Sequence, residues 1–350
     1  MNKVNVKMNI NNDSRKVKYY CPLCKNCLTV KTYILICNNC LAHWHVVEGI
    51  PVFGSIKARG ELLSDEIKRL LNLTESSGWD AAFFEYAKFQ VAKGSMPVED
   101  QRMADWKYLL SLNNKSSALV LGCGWGTVPI AISEICEDVY AIDTVWEKIV
   151  YLNILAGQHR INNLYPIYVS DRYEIPFPKK YFNLIAVREY QWSTGQPVSF
   201  RRIVRRVYSL LSEEGVVSFS IGNRLAFQYL LRRTEKNDRS HFHNIFGYKH
   251  ILQEEGFSDI QFYAPLPNYD GIPLFYLPVE NNKAMAYFFH NIFPLFEMVS
   301  PEVKRLYSFD YKIAKIAVRL ALSSRLTSLA KFFVPGFNVI ARKQEGMDAT

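Results

Sequence analysis

Val120-Leu121-Gly122-Cys123-Gly124-Trp125-Gly126-Thr127 reads as a strand end, a glycine turn and a helix start. Ala118 to Leu121 is a short apolar run of the kind that forms a strand buried on both faces. Val128 to Cys136 reads as the helix that follows. Strand, glycine turn and helix in that order aim backbone N–H groups and a helix N-terminus at a ligand. The next apolar run, Val139 to Ile142, ends on Asp143, a carboxylate able to accept both hydroxyls of a ribose. The glycines run G-x-G-x-G with Thr127 after them. They do not make the G-x-G-x-x-G that lets a backbone approach a pyrophosphate, and no Gly-Lys-Ser/Thr follows to form a P-loop. The turn suits a cofactor with a ribose and an amino-acid tail.

On these residues the chain resembles the class I S-adenosylmethionine-dependent methyltransferases, and the resemblance runs on for about 150 residues. Val169-Ser170-Asp171 resembles the family's third strand end, with its acidic residue near the adenine. Ile175-Pro176-Phe177-Pro178 and Tyr181-Phe182-Asn183-Leu184-Ile185 resemble the approach to strand four, with Asn183 where the family usually has Asp. Arg206 to Val217 resembles helix, glycine turn and strand five; Phe262 begins strand six and Phe337 to Ala341 forms strand seven. The alternation of strands and helices argues independently for a parallel, doubly wound sheet. The fold expected is therefore α/β: a Rossmann-like seven-stranded methyltransferase sheet with an N-terminal zinc ribbon and a helical insertion between the last two strands. The resemblance implies that S-adenosylmethionine is held by Gly122, Cys123, Gly124, Gly126, Thr127, Asp143, Thr144, Asp171, Arg172 and Arg188.

Five of the seven cysteines lie between residues 21 and 40. Cys21-x2-Cys24 and Cys37-x2-Cys40, twelve residues apart, are two knuckles of a zinc site. Four thiolates complete a tetrahedron and leave no open position, so the Zn²⁺ is structural, holding a segment too small to build its own core. Cys27, His43 and His45 are spare donors, read as packing; Cys123 and Cys136 read as small core residues. Residues 17–54, with Val47-Glu48-Gly49-Ile50-Pro51-Val52 at their end, resemble the small zinc-ribbon proteins that activate methyltransferases of tRNA and translation factors. Some ribosomal-RNA guanine methyltransferases also begin with a zinc module.

The 350 residues divide into the ribbon (17–54), a helical connector and cap (55–115), the cofactor-binding core (116–264), a helical insertion (265–335) and the last core strand (336–343). In the connector, apolar spacing predicts helices over 61–73, 80–91 and 98–112, with Arg102, Asp105 and Trp106 as cap candidates. About seventy residues part strands six and seven, and a loop of that length forms a subdomain or a functional lid, here read as the acceptor lid. Lys312, Lys315 and Arg319 share one helix face, opposite Ile313, Ile316 and Leu320, a pattern that permits contact with an anionic membrane. The polar, Asn-rich start does not read as a signal peptide, and no run is apolar enough to span a bilayer. A cytoplasmic location is expected, with peripheral contact to the inner membrane face as the variant.

The net charge of +9 suits an acidic partner: RNA, anionic lipid or a phosphate-linked saccharide. Arg201, Arg202, Arg205 and Arg206 on one helix, and Arg232, Arg233, Lys236 and Arg239 further on, are candidate phosphate grips. Methyl transfer is an in-line displacement, so alignment is the protein's main task. A base beside a hydroxyl acceptor would help. Glu189, then Tyr190 and His241, are the candidates for it; Asn223, Arg224, His243 and Asp270 lie near the same edge. The expected acceptor is a small molecule, a saccharide or a lipid-linked saccharide, because the Asn223-Arg224 pair and the turn from Pro265 resemble enzymes of surface-polysaccharide and natural-product pathways. The alternatives are an RNA methyltransferase that uses the ribbon for RNA contact, and a cofactor-binding protein that activates a partner.

Overall fold

The computed structural model describes residues 18–56, 65–78, 81–82, 84–85, 101–112, 115–170, 175–188, 199–226, 242–266, 273–298 and 327–344. The chain opens with four short strands, β1 (Thr29–Lys31), β2 (Ile34–Ile36), β3 (His43–Val47) and β4 (Ile50–Phe53), followed by helix α1 (Asp65–Ser77). A 3₁₀ helix, Gln101–Leu109, leads into β5 (Ser117–Leu121), α2 (Thr127–Ser133), β6 (Asp138–Asp143), α3 (Trp146–Gln158) and β7 (Leu164–Val169). Then come β8 (Phe182–Val187), α4 (Phe200–Leu210), β9 (Leu211–Gly222), α5 (Ile245–Glu254) and β10 (Phe257–Leu266). The chain ends with β11 (Phe275–Pro278), α6 (Asn282–Tyr287) and β12 (Gly336–Lys343).

The strands described form one sheet in the order β1-β2-β3-β4-β7-β6-β5-β8-β9-β12-β10-β11. From β7 to β9 neighbouring strands are parallel, and β12 runs antiparallel between β9 and β10. The apolar runs explain this centre: β5, β6, β7 and β8 are buried along nearly their whole length, as strands covered on both faces must be. Where seven strands are expected, the sheet described has twelve. On one side β4 pairs parallel with β7, Val52 beside Tyr168 and Phe53 beside Val169, because all four of its side chains are apolar and buried. On the other side β11 pairs antiparallel with β10. The insertion, expected to be helical, therefore contains a strand.

The ribbon is part of the core. Phe53 of β4 enters the apolar layer that contains Tyr140, Phe177 and Phe182, while Ile50 and Val52 enter the layer on the other face with Trp106, Val128 and Leu152. Tyr19, Cys21, Leu28, Leu35 and Cys37 belong to the first of these layers too. Tyr20 packs edge-on to Tyr181 with ring centres 5.5 Å apart, and Tyr140 does the same with Phe177 at 4.7 Å. Burial of such rings contributes on the order of 2–3 kcal/mol each, more than a single hydrogen bond does.

Several boundaries differ from expectation. Helix α1 runs on to Ser77, past the expected end at Leu73, and 101–109 is 3₁₀ rather than α. The expected glycine turn before strand five is absent as a break: β9 begins directly at Leu211, with Glu214 at φ 58° and Gly215 so placed that a Cβ would lie 2.8 Å from the Ser212 carbonyl. Asn183 does not weaken the fold. Its Oδ1 accepts from the Ser117 N–H at 3.0 Å and its Nδ2 donates to Ser212 Oγ at 3.3 Å, tying β5, β8 and β9 together at their starts.

Candidate cofactor site and metal site

The order of the central strands reverses at β5 and β8, which lie side by side while their crossovers leave in opposite directions. A crevice outside the carboxyl ends of strands at such a point is where open α/β sheets bind ligands. The glycine turn stands at this end of β5. Gly122, Gly124 and Gly126 have φ of 72°, 58° and 102°, a region that other residues enter at a cost of about 1–2 kcal/mol. A Cβ on Gly126 would also lie 2.6 Å from Leu152 Cδ1, so helix α3 presses directly on the turn.

Asp143 ends β6 beside it and is buried. Its Oδ2 accepts from the Gly124 N–H and its Oδ1 from the Val145 N–H, both at 3.0 Å. These two backbone bonds fix the orientation of the carboxylate at the end of β6. Cys123 is buried, its Sγ 4.0 Å from Asp143 Oδ2; Thr127 and Thr144 are buried on either side. The Arg188 N–H donates to the Leu121 carbonyl at 2.9 Å, which sets the end of β8 against the glycine turn. Thus Gly122, Cys123, Gly124, Gly126, Thr127, Asp143, Thr144 and Arg188 converge. Asp171, Arg172, Glu189, Tyr190, His241 and Asp270 lie outside the described residues.

Two residues that sequence reasoning passed over fix the segments around this region, Tyr276 near its edge and Lys107 at the far end of α2. Tyr276, on β11, donates from its hydroxyl to the carbonyls of Met103 and Arg102 at 3.1 and 3.3 Å. Burial pushes this hydroxyl above its ordinary range, and the neighbouring Arg188 pulls it back. The insertion, the 3₁₀ cap and the end of β8 therefore meet around one side chain. Lys107 is buried in the cap and donates to the Ala131 carbonyl at 2.8 Å and to Glu134 at 2.6 Å, fastening the cap to α2. No periodic pattern marks either residue.

Other candidates are accounted for differently. Asn223 is structural: its Nδ2 donates to the carbonyls of Phe332 and Val334, both at 2.8 Å, and its Oδ1 accepts from the Leu225 N–H. His243 is kept below its ordinary pKa by partial burial and by Arg224 and Arg201, which favours its neutral form. Two of the four arginines of α4 are engaged by glutamates, and Arg202 is exposed. Arg201 pairs with Glu254 and Glu255, Arg205 makes two 2.9 Å bonds to Glu255, and Arg206 is largely buried. A cavity of about 600 Å³ lined by Lys115, Cys136, Glu137, Arg160 and Asn163 opens at the amino ends of β5, β6 and β7, the opposite end of the sheet.

The metal site has the geometry its spacing implies. The Sγ atoms of Cys21, Cys24, Cys37 and Cys40 all lie within 4.8 Å of one another, with Cys24 and Cys37 at 3.4 Å and Cys21 and Cys40 at 3.6 Å. Tetrahedral Zn–S bonds of about 2.3 Å would set sulfurs roughly 3.8 Å apart. The two knuckles repeat one backbone design: Lys25 and Leu41 each have φ near 60° and donate back to the carbonyls of Cys21 and Cys37 at 2.9 Å. Cys27, His43 and His45 stand apart from this cluster.

No protein-family model matches this chain, and no curated protein matches it. Similar solved structures include phosphoethanolamine N-methyltransferase 2 of Haemonchus contortus with phosphomonomethylethanolamine and S-adenosylhomocysteine. It is 16% identical, with 78% of this chain and 59% of that chain covered and a TM-score of 0.43. The YcgJ protein of Bacillus subtilis is 14% identical over 70% and 99% of the two chains, TM-score 0.41. A Haloferax volcanii complex of the Trm112 methyltransferase activator and a methyltransferase matches at 10% identity, 79% and 98% coverage and TM-score 0.41. The chain spans about three-fifths of the length of the first of these. Each is a likeness and no more.

Proposed function

We propose that this chain is an S-adenosylmethionine-dependent methyltransferase whose acceptor is a small molecule, a saccharide or a lipid-linked saccharide. The observation that carries the reading is the convergence of the glycine turn and the oriented, buried Asp143 at the carboxyl ends of β5 and β6, beside the strand-order reversal. The Gly122–Gly126 backbone would take the methionine end, Asp143 the ribose hydroxyls, and Asp171 and Arg172 the adenine. Bound there, the cofactor supplies an already activated methyl group. The protein's own part is to align an acceptor with it and to keep water out, tasks that fit a cap and an inserted strand meeting at Tyr276. Glu189, with Tyr190 and His241, is the group to remove an acceptor proton. Structural Zn²⁺ in the four-cysteine site fits the sulfur spacing.

Calorimetric titration with S-adenosylhomocysteine tests the cofactor reading. Asp143→Ala should weaken binding about a hundredfold, the loss of two charge-assisted hydrogen bonds at roughly 1.5 kcal/mol each. Unchanged affinity in a folded variant refutes the ribose role. Incubation with methyl-labelled S-adenosylmethionine and a cell lysate tests the acceptor: label in the lipid or small-molecule fraction supports it, and label in RNA overturns it. The pairing of Arg201 and Arg205 with glutamates weighs against an RNA acceptor held by this helix. Turnover by the isolated chain would exclude partner activation as its sole role.

A further inference from the structure

Three segments meet beyond the carboxyl end of β9: Gly222–Ala226, the start of α5, and the 3₁₀ turn Thr327–Phe332 with Phe333 after it. Asn223 bonds the first to the third through the Phe332 and Val334 carbonyls. The Arg224 N–H donates to the His243 carbonyl at 3.2 Å, and the Phe246 and Phe332 rings lie 5.4 Å apart, joining the second to both. On this surface four large apolar side chains face solvent: Leu225 at 37% exposure, Phe246 at 62%, Leu329 at 41% and Phe333 at 41%. Scattered apolar residues on a surface need no explanation, but four on three touching segments form a patch.

Within the three described segments that form the patch, the charged side chains are all basic. Residues 222–226, 242–250 and 327–335 contain no Asp or Glu. Lys249 is paired with Glu280 and His250 with Glu254, which leaves Arg224 and Lys331 without an acidic partner among the described residues. Lys331 Nζ lies 5.4 Å from the centre of the Phe332 ring, at the border of the patch. An apolar surface bordered by uncompensated cations complements an interface where acyl chains meet anionic headgroups. Leu225 and Leu329 have no π face on which a base could stack, so a nucleic acid would leave half of the patch unused.

We propose that this patch seats the protein on an anionic lipid membrane, with the carboxyl end of β9 turned toward the bilayer. The proposal does not depend on the methyl-transfer reading, because binding is measured without cofactor or acceptor. If both hold, an amphipathic acceptor would reach the sheet from the membrane side.

Sedimentation of the full-length, zinc-loaded protein with vesicles tests it. Binding is expected to vesicles of phosphatidylglycerol in phosphatidylcholine, to be much weaker with phosphatidylcholine alone, and to fall as salt rises. Lys331→Glu should lower the partition coefficient at least about fivefold, since one cation near such a surface contributes about that factor. Phe246→Ser with Phe333→Ser should abolish binding while keeping a single cooperative transition, lowered by a few degrees at most through loss of the Phe246–Phe332 contact, and an unchanged S-adenosylhomocysteine affinity, which separates this result from loss of the fold or of the cofactor site. Absence of binding to the anionic vesicles, or full binding by the double variant, overturns the proposal. So does a dimer, seen by analytical ultracentrifugation, that the same double substitution dissolves, or RNA binding that it abolishes.

Discussion

The two edges of the sheet are extended by opposite means. At the N-terminal edge, β1 to β4 are organised by four cysteines, two of which, Cys21 and Cys37, are fully buried within the apolar layer of the core. The first knuckle also reaches inward, the Tyr20 N–H donating to the Pro176 carbonyl at 3.0 Å and Lys25 Nζ to the Ile175 carbonyl at 3.3 Å. At the other edge, β11 pairs with β10, and Leu277, Val279, Met285, Phe288 and Val334 enter the same apolar layer without any metal; the polar bonds of Asn223 and Tyr276 are added to that packing. A metal-organised edge that shares the core layer should fail together with the core. An edge without a metal, whose outer turns depend on single polar clamps, is expected to loosen locally at those clamps first.

Removal of the metal is expected to have the largest effect and is the sharpest way to break this contrast. Cys37→Ser should release zinc and lower the single unfolding midpoint by about 10 °C, taking roughly 4 kcal/mol as the share of metal-binding energy the fold retains. Calorimetry would show it as a shift of one cooperative transition. Two transitions, with the larger unmoved, would mean that the ribbon is a separate unit and that its burial against Tyr140 and Phe177 contributes little.

The opposite edge should respond less, and locally. Asn223→Ala removes three hydrogen bonds and leaves two carbonyls unpaired, a cost of about 2–4 kcal/mol. Hydrogen exchange should rise across 327–335 while β1 to β4 stay protected; uniform loss of protection would show that the two edges are equally integral. Tyr276→Phe is smaller, about 1 kcal/mol, because only one hydroxyl donor is lost. Its expected signature is faster exchange in 101–109 with a nearly unchanged midpoint. If exchange there is unaffected, the cap is held by Lys107 alone.

What is legible in the sequence follows from how local the signal is. The glycine turn, the strand ending at Asp143 and the four cysteines are each written in contiguous residues, and each stands where its spacing implies. The parallel joining of β4 to β7 is not legible, because nothing in Ile50-Pro51-Val52-Phe53 specifies a partner 116 residues away in register, Val52 beside Tyr168. Strand β11 is hidden for the same reason: Phe275-Tyr276-Leu277-Pro278 is too short to show a period, and pairing with β10 decides its state. Asn223 stands out as a residue type, but its partners, more than a hundred positions on, make it a structural clamp.

The arginines of α4 give the smallest expected effect. A row of four on one helix looks like a phosphate grip when only charge is counted. In the fold, Arg201 and Arg205 both turn to the glutamates at the end of α5, and the Glu255 side chain is only 7% exposed between them. Arg205 itself is 68% exposed, and ion pairs with so exposed a partner contribute little. Arg205→Ala is therefore expected to leave the thermal midpoint and the affinity for any polyanion unchanged within error, as read by differential scanning fluorimetry and a heparin-column elution profile. A marked loss of heparin retention would show that the guanidinium leaves Glu255 for an external anion. The basic balance of the chain would then be carried by this helix as well as by the border of the Phe246 patch.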